Sequence, residues 1–463
     1  MLTRIEIDGF KTFENFSTDL APFVVILGTN AAGKSNLFDA IQLLSNLASQ
    51  DVSEAVKGMR GEPLELFRRT GAGRSSRLKF AVEVLLDPVV RDPWGSEVKL
   101  VHTRLRYEVV LERREIRPGL ERVQVAHESA TPIFRVGDQW ASGLKPTPAF
   151  RKRHLKYSRK KPLLTTESQE TGLNFNIHQD GKQGRVRPAS AAEATVLSSI
   201  SNAEFPHLFA LREELRTWRL LQLDPALLRR PSPVIADDLL APDGANLAAV
   251  LARIKAETLT AERPNGALSD IAADLNALIP GVKSLDAQLD KSASEYRVDL
   301  TMRDGLPFSS RVVSDGTLRV LALLTLLHDP RHRGLVCFEE PENGVHPARL
   351  KQLVRRLQGM VTRPDDLDQD DDAPLTQLLL NSHSPVVLSA LIGLDFRPLC
   401  DPILFADTAS VVDPAAHEVR RHTRLRAVMT SPQDELLARD HDAGVYVSRY
   451  EVERLLNTAS AEA

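Results

Sequence analysis

The sequence predicts an α/β protein with a mainly parallel core sheet, an antiparallel β layer and a helical insert. Three observations carry that expectation. Phe23–Leu27 (FVVIL) is a continuous apolar, β-branched run, the pattern of a strand buried on both faces. A glycine-bearing loop follows it, then an amphipathic helix with Leu37, Ile41, Leu44 and Leu47 on one face. Further apolar strands, Gly334–Phe338 and Leu378–Leu380, return near the other end of the chain.

The remaining elements fill the space between these strands. Leu2, Ile5 and Ile7 alternate as a first strand, and residues 78–86 and 104–112 alternate as a hairpin-like antiparallel pair. From about 115 to 190 the periodicity weakens and the chain turns polar, with proline and glycine breaks. Residues 189–223, 244–261 and 267–279 read as helices, 295–301 as a strand and 316–328 as a buried helix. Asp365–Asp372 (DDLDQDDD) reads as a solvated loop, since it lacks the glycine turn and ligand spacing of a calcium loop. There is no internal repeat.

Composition narrows the function. The 463 residues are 42% hydrophobic and 26% charged, ample for a large core. A formal charge of −3 means that the whole molecule does not attract nucleic acid, so any such contact needs a local basic surface. Two cysteines, Cys337 and Cys400, exclude a disulfide framework and a cysteine-based zinc site and suit a reducing, cytoplasmic setting. The N-terminal stretch lacks the apolar core of a signal peptide. No apolar run approaches the roughly 18 residues of a membrane span, so no membrane partner is expected.

The loop after the first apolar strand, Gly28-Thr29-Asn30-Ala31-Ala32-Gly33-Lys34-Ser35, fits the phosphate-loop pattern G-x-x-x-x-G-K-[ST], with Asn36 next in line. Wrapping a triphosphate with backbone N–H groups needs unusual backbone angles, which glycine permits. The helix start aims its positive dipole end at the phosphates, Lys34 supplies a point charge, and Ser35 offers a hydroxyl to Mg²⁺. ATP and Mg²⁺ are therefore the expected ligands. Far along the chain, Phe338 runs into Glu339-Glu340-Pro341-Glu342, and acids at the carboxyl end of such a strand collect around a nucleotide. Glu339 would support Mg²⁺, and Glu340 would polarise the attacking water. His383, after the third apolar strand, would alone read as structural; beside the other elements it reads as a group for the γ-phosphate or the water. Ser314-Asp315-Gly316 at the start of the buried helix is an N-cap and an anion site in one geometry.

In this order, these elements resemble ABC-type ATPase heads. Residues 28–35 resemble Walker A, Ser314-Asp315-Gly316 the signature, and Phe338-Glu339-Glu340 Walker B with its catalytic glutamate. Glu342–Pro347 looks like the D-loop and His383 like the switch histidine. GTNAAGKSNLFDAI, SDGTLR, FEEPENGVHP and NSHSPVVL resemble the RecF/SMC/OLD-like branch, and more narrowly the stand-alone ATPases of bacterial anti-phage defence modules. The resemblance implies a head built from both ends of the chain: 1–115 and 301–425 as its halves, 116–300 as a helical insert and 426–463 as a tail. It also implies a homodimer, or a larger homo-oligomer, in which ATP at Lys34 of one subunit meets Ser314 and Gly316 of the other. On that view the chain is the sensor or regulator of a separate nuclease or toxin. The alternative is a RecF-like DNA-repair ATPase. A transporter subunit is disfavoured, because residues 64–77 offer no glutamine for a Q-loop.

Residues 151–161 (RKRHLKYSRKK) hold seven Lys/Arg in eleven, which is either a solvated charged loop or a phosphate-contact surface for DNA or RNA. Asp440-His441-Asp442 could be mistaken for half of a metal site, but it does not end an apolar strand. No nuclease centre is expected in this chain.

Overall fold

A computed structural model describes residues 1–70, 73–169, 172–179, 182–367, 373–392, 401–413, 418–430 and 444–462. Cys400, most of the acidic run and Asp440–Asp442 lie outside the described residues. The chain folds as two compact units: Met1–Arg219 with Thr362–Gln377 and Arg397–Ala463, and Leu220–Val361 with Leu378–Phe396. The expected second half of a head, 301–425, is thus shared between the two.

The first unit contains an eight-stranded antiparallel sheet. Its strands, in spatial order, are Lys182–Pro188, Gly172–Gln179, Leu164–Gln169, Leu120–Pro132, Arg104–Arg117, Arg77–Leu85, Leu2–Asp8 and Phe16–Asp19. The expected pairing of 78–86 with 104–112 is present, with Phe80 opposite Val109 and Val82 opposite Tyr107. The expected helical character of the insert is corrected here, since much of 120–188 is sheet. The sequence signal fails because the outer half of the long hairpin, Arg113–Arg117 with Leu120–Arg122, is charged and solvated, so no apolar alternation marks it. A second sheet of this unit sets Phe23–Gly28 parallel to Ile403–Asp413, which pairs antiparallel with Glu418–Met429. All six residues of Phe23–Gly28 are buried, as its unbroken apolar run requires.

The helix expected over 189–223 shrinks to Pro206–Arg216, preceded by a single tight turn at Leu197–Ser199. Side chains compete successfully for the backbone upstream of it. The fully buried Glu128 carboxylate accepts from the Val196 and Leu197 N–H groups and from the Tyr107 hydroxyl. Thr195 Oγ1 donates to Leu47 O, tying this segment to the end of the helix after the phosphate loop. Burial pushes the Glu128 carboxyl up to about 7.

In the second unit, Gly334–Glu339 lies between residues 220–221 and 378–382 of the flanking strands. The helices Leu247–Thr258 and Leu268–Leu278 match the sequence expectation. Strands Val282–Asp290 and Glu295–Met302 pair antiparallel. Helix Asp315–Leu327 buries nearly all of its apolar run. Among the described residues no helix is long and apolar enough to cross a membrane.

Candidate functional site

In the first unit the phosphate loop joins strand Phe23–Gly28 to helix Lys34–Leu47. Two residues turn the chain: Ala31 at φ 61° and Gly33 at φ 93°, the latter in the left-handed region that glycine tolerates without strain. Among the described residues no side chain caps the helix start, which suits its N–H groups to an anion. Lys34 Nζ donates to the loop's own carbonyls, Gly28 O at 2.6 Å and Thr29 O at 2.8 Å. The lysine is therefore held over the cradle that phosphates would enter. Asn30 and Ala31 are exposed at the loop tip, Ala32 is buried, and Thr29, Ser35 and Asn36 are half-buried.

Two threonines that the sequence reading missed brace this loop. Thr423 Oγ1 donates to Ala32 O at 3.1 Å and lies 2.7 Å from Thr12 Oγ1, which accepts from Asn36 Nδ2 at 2.9 Å. A Cβ on Gly33 would meet Thr423 Oγ1 at 2.0 Å, and one on Gly28 would meet Ala406 O at 2.5 Å. Both glycines are thus set by close packing as well as by backbone angle. No local pattern could have revealed Thr423, which lies nearly 400 residues from the loop.

In the second unit the structure brings Glu339, Glu340 and His383 together. Glu340 ends the apolar strand at φ 55°, a left-handed conformation uncommon for a residue with a side chain. Its N–H donates to Asn381 O, and Asn381 Nδ2 donates to Glu339 Oε1 at 3.1 Å. Asn343 Nδ2 donates to Glu340 Oε2 at 2.7 Å, while His383 Nδ1 lies 3.1 Å from Glu340 Oε1. The carboxylate is therefore fixed from both sides and stays half-exposed, so its remaining lone pairs can accept from a water. Next to it, Glu342 is mostly buried and accepts from the Ser382 hydroxyl. Desolvation raises its pKa, and the neighbouring Glu340 charge adds to the rise.

Ser314 caps helix Asp315–Leu327, its Oγ accepting from Thr317 N at 3.2 Å. The cap packs on the turn after Glu342: a Cβ on Gly316 would meet Gly344 Cα at 2.5 Å. Arg229, also missed from sequence, donates to Val313 O at 2.9 Å and pairs with Asp315. It ties the segment around LDPALLRRP to the cap. Ser314 and Asp315 remain exposed.

Each unit's donors suit a nucleotide with its metal: in the first, an uncapped helix start and a lysine suit phosphates and the Ser35 hydroxyl suits Mg²⁺; in the second, a strand-end carboxylate suits a hydrated Mg²⁺, which takes most of its ligands from water and phosphate. Among the described residues no three His, Cys, Asp or Glu side chains gather as a dedicated metal cage.

Comparison with known proteins agrees with a nucleotide-handling fold. Residues 110–389 match the family described as "AAA domain, putative AbiEii toxin, Type IV TA system". Residues 1–52, which include the phosphate loop, match "Protein of unknown function (DUF2813)". No curated protein matches the chain in sequence. Among solved structures, the chain is similar to an Smc head bound to the C-terminal winged-helix domain of ScpA, at 13% identity and TM-score 0.48, covering 92% of this chain and 98% of that one. It is also similar to an Smc head with an extended coiled coil from Pyrococcus furiosus, at 10% identity and TM-score 0.48, covering 95% and 99%. A third is the SMC head domain from Thermotoga maritima, at 10% identity and TM-score 0.37, covering 92% and 99%.

Proposed function

The chain belongs to the AbiEii-type AAA-domain family, and from that membership we propose that it is an ATP-hydrolysing switch of the ABC head kind. Glu340 carries the reading. A glutamate at the end of an apolar strand, strained and held between His383 and Asn343, is placed to take a proton from a water without drifting. In the first unit the helix start, Lys34 and Ser35 hold the phosphates and Mg²⁺. In the second, Glu339 supports the metal's water shell, Glu340 is the base, and His383 orients the water or the γ-phosphate.

The exposed Ser314 cap serves a nucleotide held by a second copy of the chain, so ATP binding closes a head-to-tail homodimer and hydrolysis reopens it. The family's description ties its members to toxin–antitoxin systems. On that ground the ATP cycle controls a toxin or nuclease effector carried by a separate protein, in antiviral defence.

Binding of a fluorescent ATP analogue tests the first step. Lys34→Ala removes charge-assisted bonds to phosphate and should weaken binding roughly 10- to 150-fold. Unchanged affinity would remove the phosphate loop from the mechanism.

A further inference from the structure

Besides the nucleotide machinery, the first unit carries a basic cleft and, on segments anchored to the same buried residues, two exposed aromatic rings. We propose that together they bind single-stranded nucleic acid, with Trp94 and Phe134 as stacking platforms and Arg135, Lys152, Lys160 and Lys161 as phosphate contacts.

The structure sorts the basic run into scaffold and surface. Arg159 is buried and donates to Lys161 O and Pro162 O, His154 is buried against Phe150, and the Tyr157 hydroxyl donates to Asp138. Arg151, Lys152, Arg153, Lys160 and Lys161 face outward. Arg151, Lys152 and Tyr157 line an open cleft of about 380 Å³ together with Arg135 from another turn of the chain. Residues 133–163 hold nine Lys/Arg and one acid, Asp138. That carboxylate is consumed internally by Arg104 and Tyr157. A strongly basic segment in a chain of charge −3 is a local positive field that attracts anions, not a property of the whole molecule.

One buried residue roots the pieces. His102 Nε2 bonds Ile133 O at 3.1 Å, its Nδ1 accepts from Arg159 N at 3.2 Å, and its ring meets Tyr157 edge-on. Beside it, Ser158 N donates to Val101 O and Thr103 N to Lys156 O. From this root rise the turn with Phe134 and Arg135, the basic segment, and the small hairpin Val89–Arg91 with Glu97–Lys99. At the hairpin tip Asp92 accepts from the Trp94 and Ser96 N–H groups, which fixes a tight turn and leaves Trp94 83% exposed. Phe134 is 52% exposed.

A tryptophan held in solvent by a tight turn is exposed in the folded chain much as in the unfolded one, so it gains little burial energy and the fold does not account for a large ring at this position. A cleft whose described lining holds Arg135, Arg151 and Lys152 and no carboxylate, with exposed rings on the segments that flank it in the chain, is the chemistry of a single strand, whose bases are free to stack. A duplex hides its base faces and would use the cations alone.

The test is fluorescence titration with oligo-dT and with a duplex of equal length. Trp140 and Trp218 are buried, so Trp94 is the ring that a stacked base quenches. The expected result is quenching and binding by the single strand, a steep loss of affinity with salt, and weaker binding to the duplex. Trp94→Ala should weaken single-strand binding roughly ten-fold while leaving duplex binding unchanged. The pair Lys152→Glu and Lys160→Glu should weaken both. No oligonucleotide binding, equal binding of duplex and single strand unaffected by Trp94→Ala, or binding only to anionic vesicles would overturn the proposal. ATP binding by the same variants reads the nucleotide site separately, so failure here is distinguishable from failure of the ATP switch.

Discussion

The phosphate loop and the carboxylate strand end achieve preorganisation by different means. The loop is shaped by backbone: a buried strand, two left-handed residues and an uncapped helix start. Its braces, Thr12 and Thr423, only hold that shape. The strand end is shaped by side chains: Glu340 is locked by Asn343 and His383, and Glu339 is bonded by Asn381. Binding a charged ligand can rely on main-chain dipoles, whereas moving a proton needs one carboxylate oxygen in one place. That division predicts that variants of the two regions fail in different ways.

The largest effect should come from Glu340→Gln. It keeps the shape and most hydrogen bonds but removes the base, so turnover should fall roughly 10²- to 10⁴-fold with ATP affinity retained. Steady-state phosphate release checks this, and full turnover would take the base role from Glu340.

Glu128 sharpens the framework side of the comparison, since it holds the segment that reaches the end of the loop helix. Its folded pKa, about 7, lies above the unfolded carboxylate value. The folded state therefore holds the proton more tightly. Stability from this group is complete below pH of about 4.5 and is lost as pH rises through about 7, on the order of 3 kcal/mol. Thermal melts from pH 5 to 8 should show the decline, and Glu128→Gln should flatten it. An equally steep decline in the variant would assign the pH dependence elsewhere.

The smallest effect concerns the joint between the Ser314 cap and the turn after Glu342. Gly344 has φ 89°, and a Cβ there would meet Gly316 Cα at 2.1 Å. Gly344→Ala should destabilise the second unit by about 1–3 kcal/mol, read by urea unfolding. It should also slow turnover more than it weakens ATP binding. A neutral result would mean that the cap moves freely against that turn.

Legibility from sequence follows the same physics. The phosphate loop was readable because its whole mechanism is local: strand, glycines, lysine and helix within about twenty residues. Glu339 and Glu340 were readable as acids at a strand end. Their clamps were less so, because Asn343 is near in sequence but unremarkable, and Asn381 and Arg229 arrive through the fold. The buried helix Asp315–Leu327 was announced by its apolar run, while the sheet within 120–188 was hidden where its strands are charged, as in Leu120–Arg122 and Lys182–Pro188, although Leu173, Phe175 and Ile177 do alternate. The first part of the helix expected over 189–223 yields to Glu128, whose carboxylate takes the Val196 and Leu197 N–H groups that a continuous helix would pair with its own carbonyls.

The central claim is that ATP drives assembly of this chain with itself. Light scattering of Glu340→Gln, with and without ATP and Mg²⁺, tests it most directly. The account predicts a doubling of molar mass, or a larger assembly, only when ATP and Mg²⁺ are both present. A mass that stays the same in all conditions, whether monomer or fixed oligomer, would contradict ATP-driven closure.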